Sequence, residues 1–182
     1  MPKGNAKEAA LAAGGMAIPR RHGSIPGTYF VTSRTWESHT VFKTAPPCEI
    51  FIESLLRYRD EGAYFLHGFV LMPDHFHVLL TPADDIAPER AVQFIKGGSA
   101  RAIHQGLQSR FPVWQRGFSD HRIRDQADCE LHLRYLKQNP VKKRLAVLPG
   151  EYRWSSASGL FRMDEVPQGL KPLSVAATSR HG

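Results

Sequence analysis

The 182-residue chain is poor in cysteine and has no long apolar run. Its two cysteines, Cys48 and Cys129, stand far apart and form no CxxC pair. That pattern speaks for reduced thiols and a cytoplasmic setting more than for a disulfide framework. No stretch approaches the ~18 consecutive apolar residues of a membrane span, so no membrane association is expected. The apolar segment from Ala9 to Ile18 is interrupted by Gly14 and Gly15 and does not read as a signal peptide. Acidic residues are also in short supply: 17 Asp and Glu stand against 24 Lys and Arg, a formal net charge of +7. A basic surface draws polyanions by counterion release and steering. Local concentrations at Arg20-Arg21-His22, Arg116 to Arg124 and Lys142-Lys143-Arg144 favour nucleic acid as the partner.

The apolar content of 42% supports an ordinary globular core, and the length suits one domain with tails. Residues 1–23 lack a sustained period and read as a disordered basic arm ending in Arg20 and Arg21. Residues 24–162 carry the folded domain, and 163–182 read as a tail. Tyr29 to Ser33 is β-branched and aromatic, hence a strand. After Pro46-Pro47, Phe51, Ile52, Leu55, Leu56 and Tyr58 recur at helical spacing. Ala63 to Met72 is nearly continuous in apolar residues, as expected of a central strand buried on both faces. Pro73-Asp74 turns the chain into a second strand, His75 to Thr81. A helix is expected from Pro88 to about Gln108, where Gly97-Gly98 marks either a closely approached backbone or a break between two short helices.

A fourth strand falls within 113–124, where aromatic residues interleave with cations. That stretch suits stacked bases and neutralised phosphates, or an edge strand with its aromatics turned inward. Asp125 then caps a last helix, with Asp128 three residues on resembling a capping box. Pro140 is expected to end that helix near Gln138. The order β-α-β-β-α-β with a following helix is the ferredoxin-like α+β arrangement, a four-stranded antiparallel sheet behind two helices.

His75-Phe76-His77 carries the chemistry. In a strand the two imidazoles point the same way, about 7 Å apart along the chain, while Phe76, Val78 and Leu80 face a core. The pair suits one shared metal ion; alone it equally suits a half-buried strand with two histidines. In the last helix Ala127, Leu131, Tyr135 and Asn139 form an i, i+4 row, so Tyr135 and Asn139 share a side. If His75, His77 and Asn139 meet, two imidazole nitrogens and an amide oxygen hold a divalent ion with open positions. Tyr135 then offers a phenol oxygen to a phosphate there, a nucleophile that needs activation. His67 reads as structural, and His104, His121 and His132 as bulk histidines, of which His121 is best placed to touch DNA.

These residues carry a resemblance. His75-Phe76-His77 resembles the His-hydrophobe-His (HUH) motif of single-strand DNA endonucleases, and its order before Tyr135 in Tyr135-Leu136-Lys137-Gln138-Asn139-Pro140-Val141 is similar to single-tyrosine transposases. Trp114-Gln115-Arg116-Gly117-Phe118 and Tyr152-Arg153-Trp154-Ser155-Ser156 resemble segments of the REP-associated tyrosine transposase group, so the likeness spans about residues 20–161. It implies cleavage of single-stranded DNA beside a hairpin through a 5′-phosphotyrosine, with Tyr135 as nucleophile. It also implies a metal ion on His75, His77 and Asn139; mixed nitrogen and oxygen ligands with open positions fit Mg²⁺ or Mn²⁺, though imidazole also suits Zn²⁺ and later metals. Relatives often carry Gln at the Asn139 position, so this shorter amide requires a closer helix end. The residues expected against DNA are Arg20, Arg21, Lys96, Arg101, Trp114, Arg116, His121, Arg122, Arg124, Lys142, Lys143 and Arg144. The alternative is a DNA-binding protein that keeps the fold and recognises hairpins without strand transfer. Either a monomer or a homodimer suits both readings.

Overall fold

The computed structural model describes residues 27–168. Arg20 and Arg21 lie outside them, as do the rest of the expected arm and most of the expected tail. Four strands, β1 (Tyr29–Arg34), β2 (Tyr64–Met72), β3 (His75–Pro82) and β4 (Ser119–Arg122), form one antiparallel sheet in the order β2-β3-β1-β4. Three helices, α1 (Ala45–Asp60), α2 (Pro88–Gly106) and α3 (Gln126–Lys142), complete the ferredoxin-like α+β order with its additional helix. No helix among the described residues is long and apolar enough to cross a membrane. Cys48 and Cys129 are buried and free.

The strand period sorts the sheet into two faces. Tyr29, Val31, Leu66, Phe69, Phe76, Val78 and Leu80 join residues of α1 and α2, such as Phe51, Leu55, Val92 and Ile95, in the larger core. Val70, Met72 and Leu79 turn the other way and pack with Cys129 and Leu136 of α3. Both faces of β2 and β3 are therefore covered, as the continuous apolar run predicts. At roughly 25 cal/mol per Å² of apolar surface, this two-sided burial is what pins the register of β3, since a one-residue slip would exchange the faces.

Local chemistry explains the ends. α1 begins at Ala45 and takes both prolines into its first turn, where their missing N–H groups cost nothing. Gly97-Gly98 does not break α2. A Cβ at Gly98 would lie 2.2 Å from Tyr58 Cε2, so that glycine lets α1 and α2 approach closely, whereas Gly97 faces open space. Asp125 caps α3 by accepting from the Asp128 N–H at 2.8 Å. The expectation that Pro140 ends α3 is corrected: the helix continues to Lys142. A proline in the last turn removes a single N–H to Leu136. The freed end is closed by N–H groups of Lys143, Leu145 and Arg144 on the carbonyls of Asn139, Pro140 and Val141, with Arg144 at φ +58°.

The segment after α3 straps the outer edge of β2. Leu71 N–H donates to Trp154 O at 2.8 Å, Phe69 N–H to Ser156 Oγ at 3.1 Å, and Leu66 N–H to Asp164 Oδ2 at 2.7 Å. Met163 packs against the core, so the boundary expected at residue 162 falls inside this strap.

Candidate active site

His75 and His77 sit on the α3 face of β3, both nearly buried. β3 pairs with β1 so that Thr32 stands opposite His77 and Arg34 opposite His75. Each ring has a partner on Nδ1. His77 Nδ1 is 2.6 Å from Thr32 Oγ1, and His75 Nδ1 is 2.5 Å from Asp74 Oδ1. Arg34 Nη1 approaches the other Asp74 oxygen at 3.7 Å. The tautomer in which both Nδ1–H groups donate leaves both Nε2 lone pairs free, the arrangement that orients histidines as metal ligands. The rings lean together, with centroids 4.8 Å apart. Burial first, then the charges of His75 and Arg34, push His77 down to about 3, so its imidazole is neutral at ordinary pH, as a ligand must be.

The helix half arrives on the same face. Tyr135 Oη lies 3.5 Å from His77 Nε2, an approach longer than a working hydrogen bond, and the ring is 40% exposed. The Tyr135 and His77 rings meet edge-on with centroids 5.2 Å apart, and Phe30 packs beside both: its ring stacks on His77 at 5.4 Å, meets Tyr135 edge-on at 5.7 Å and touches His132 at 4.6 Å. Lys142 Nζ stands 5.9 Å from the Tyr135 ring centroid. A shallow groove of roughly 360 Å³ runs beside the phenol along Phe30, Leu131, His132, Gln138 and Lys142.

Asn139, one turn beyond Tyr135, is buried, and its Nδ2 has no hydrogen-bond partner. A buried amide end left unpaired is costly unless something else occupies it. Half a turn about its last bond brings the oxygen to that position. Two imidazoles, one of them held neutral, and an unsatisfied buried amide one turn from Tyr135 are donor types that a divalent ion takes.

The remaining expected residues divide. Arg101, Arg116, Lys142, Lys143 and Arg144 are exposed. Lys96 donates through Nζ to the carbonyls of Gln115 and Gly117, pinning that loop, and burial lowers its pKa. Trp114, expected against DNA, is instead turned into the core: it lies on Phe42 and Phe76, and its Nε1–H donates to Ser99 Oγ at 3.1 Å. Arg122 lies across Gly27. His121 and Arg124 converge on Asp128 Oδ2 at 2.8 and 3.0 Å. Burial alone would raise the Asp128 carboxyl. The donors Arg124 and His121 overcome it and hold the group far below the usual carboxylate range. His121, Asp128 and His132 bring one ligand atom each within 4.8 Å of one another, a group able to hold a metal ion. His67 is structural, bonded to Thr81 Oγ1 at 2.8 Å, and His104 bonds the Phe111 carbonyl.

Sequence reasoning missed Thr32, Phe30, Asp74 and the carboxylate role of Asp128. Asp74 was visible beside His75 but reads as a turn residue. Thr32 and Phe30 gain their meaning only from the β1–β3 register.

Comparison with known proteins places this geometry. The family model described as "Transposase IS200 like" matches residues 28–139. The REP-associated tyrosine transposase of Escherichia coli (strain K12) is 25% identical over 162 residues, 88% of this chain and 92% of that protein. A Haemophilus influenzae protein provisionally named for the same group is 28% identical over 96 residues; these are 47% of this chain, which thus spans about half (54%) of that relative. The solved structure of a REP-associated tyrosine transposase bound to a REP hairpin superposes with a TM-score of 0.63 at 23% identity, covering 84% of this chain and 92% of that one. That likeness establishes the shared fold.

Proposed function

The chain belongs to the IS200-like transposase family, and on that footing we propose that it cleaves and rejoins single-stranded DNA beside a REP-like hairpin, with Tyr135 as nucleophile. The observation that carries this reading is the 3.5 Å approach of Tyr135 Oη to His77 Nε2, two residues 58 positions apart in sequence. The E. coli relative's name and the hairpin bound in the similar solved structure support the choice of substrate.

Tyr135 Oη attacks the scissile phosphorus as its proton passes to solvent. An O–P bond forms to the phenol, the bond to the 3′-oxygen breaks, and that oxygen takes up a proton. The products are a 5′-phosphotyrosine and a free 3′-hydroxyl. A 3′-hydroxyl attacking the phosphotyrosine reverses the step, so rejoining needs no external energy source. Mg²⁺ or Mn²⁺ held by His75, His77 and Asn139 supplies Lewis-acid polarisation of the phosphate when bound. Asp74 and Thr32 hold the two imidazoles in the ligating tautomer. Phe30 packs against both Tyr135 and His77 and supports their contact, and Lys142 offers a cation beside the phenol. Arg101, Arg116, Lys143 and Arg144 supply exposed positive charge for the phosphate backbone.

Incubating the protein with hairpin-containing single-stranded DNA and Mg²⁺ or Mn²⁺ is expected to give a covalent protein–DNA adduct on a denaturing gel. Tyr135→Phe is expected to abolish it. An adduct that survives this substitution would overturn the nucleophile assignment. Salt-sensitive hairpin binding with no adduct under either metal would favour a protein that binds without cutting.

A further inference from the structure

A second grouping of histidines lies on the far side of Phe30. Asp128 and His132 are one turn apart on α3, and His121 reaches them from β4. His121 Nε2 is 2.8 Å from Asp128 Oδ2, and His132 Nδ1 is 3.3 Å from Oδ1. The two imidazoles stack with centroids 4.8 Å apart and planes 18° from parallel, so both present a nitrogen to one buried carboxylate. Metal–ligand bonds of about 2.0–2.1 Å put tetrahedral ligand atoms about 3.4 Å apart. The two imidazoles already stand 2.8 and 3.3 Å from the two oxygens of that carboxylate, and one ligand atom from each of the three residues lies within 4.8 Å of the others, so modest side-chain rotation is what an ion there requires.

We infer that His121, Asp128 and His132 form a second cation site that takes a borderline first-row ion of the Zn²⁺ class in exchange for the Arg124 guanidinium. Two imidazoles and one carboxylate suit Zn²⁺ or Co²⁺, and the anionic oxygen sets this group apart from the neutral donors of His75, His77 and Asn139. The exchange follows from what the carboxylate holds now. Asp128 Oδ2 accepts from Arg124 Nε at 3.0 Å and from Arg124 N–H at 3.1 Å. The backbone donor stays as support for the ligating carboxylate. The guanidinium, on a side chain 62% exposed, swings to solvent without disturbing the core. His132 Nδ1, whose N–H now donates to the Asp128 carbonyl at 2.8 Å, turns to the ion once that proton is carried by Nε2 instead, and the His121 proton likewise moves from Nε2 to Nδ1 as Nε2 takes the ion. Loading therefore ties β4 to α3 and returns one positive charge to the surface. The site requires nothing of Tyr135 and stands independently of the strand-transfer reading.

The test uses the full chain with His75→Ala and His77→Ala, which removes the other histidine pair. Titration with Zn²⁺ against a chromophoric chelator, and with Co²⁺ followed by absorption, is expected to reveal one remaining ion that excess Mg²⁺ does not displace. Adding His132→Ala should weaken it by more than the roughly 10–100-fold that loss of an outer partner costs. Adding His121→Ala, on a half-exposed edge strand that tolerates truncation, should do the same. Adding Arg124→Ala should tighten binding several-fold, because a competitor leaves the carboxylate. Binding unchanged by His121→Ala and His132→Ala would overturn the site. So would weaker binding in Arg124→Ala, the mark of a purely structural ion-pair cluster. No DNA enters the assay, so absence of a Tyr135 adduct leaves its outcome untouched.

Discussion

His75 and His77 stand two residues apart on one buried strand, whereas His121 and His132 come from an edge strand and a helix and meet only in space. The first pair has a dedicated partner on each Nδ1, Asp74 and Thr32, and Tyr135 Oη stands 3.5 Å from His77 Nε2. The second pair shares one carboxylate with an arginine. Equal side chains thus acquire unlike duties from their supports. A private partner on each ring fixes direction and leaves a lone pair outward; a shared partner leaves the occupant of the carboxylate open to exchange.

The sharpest way to break this contrast is to truncate each pair in turn. His75→Ala or His77→Ala should lower cleavage of a labelled hairpin oligonucleotide by about a thousandfold, the equivalent of several kcal/mol of Lewis-acid stabilisation. Salt-sensitive binding of the same oligonucleotide should largely remain. His121→Ala should leave cleavage within a few-fold of the parent. Equal losses from both pairs would erase the distinction. A smaller effect isolates the supports. Asp74→Ala and Thr32→Val should each weaken Mn²⁺ binding about 10–100-fold, measured by calorimetry, without removing a ligand.

Acid titration separates the two groupings by stability. The folded His77 value of about 3 lies below the ordinary ~6.5, so the unfolded chain binds the proton first. Stability is full above ~6.5 and declines as pH falls toward about 3. The Asp128 carboxyl is also depressed in the folded state, from an ordinary ~3.9. Its contribution is present above ~3.9 and lost only at more acid pH. Melting temperature followed against pH should therefore flatten between ~6 and ~4 in His77→Asn, and below ~4 in Asp128→Asn. The reverse assignment would show that the environments of the two groupings have been misjudged.

How much was legible follows the same division. Period-two alternation was enough to put His75 and His77 on one face and Phe76 and Val78 on the other, because that information lies within one strand. The i, i+4 row likewise placed Tyr135 and Asn139 on a common side of α3. The Thr32–His77 bond and the packing of Phe30 on His77 depend on a register between β1 and β3, which no local pattern specifies. Trp114 shows the opposite failure: an aromatic among cations suits a stacked base, but its surroundings turn it inward onto Phe42. Gly97-Gly98 was ambiguous because only the neighbouring helix distinguishes the two. Gly97→Ala should raise stability by about 1 kcal/mol through helix propensity, while Gly98→Ala should lower it by about 1–3 kcal/mol through the clash with Tyr58. Chemical denaturation of both variants checks this.

The strap from Trp154 to Asp164 closes one edge of the sheet to strand addition. A bare border of a sheet invites another chain to extend the ladder. Here the outward amides of Leu66, Phe69 and Leu71 are already spent on Asp164, Ser156 and Trp154. A second molecule arriving at β2 finds a finished seam, and would have to peel this segment away before it could add a strand.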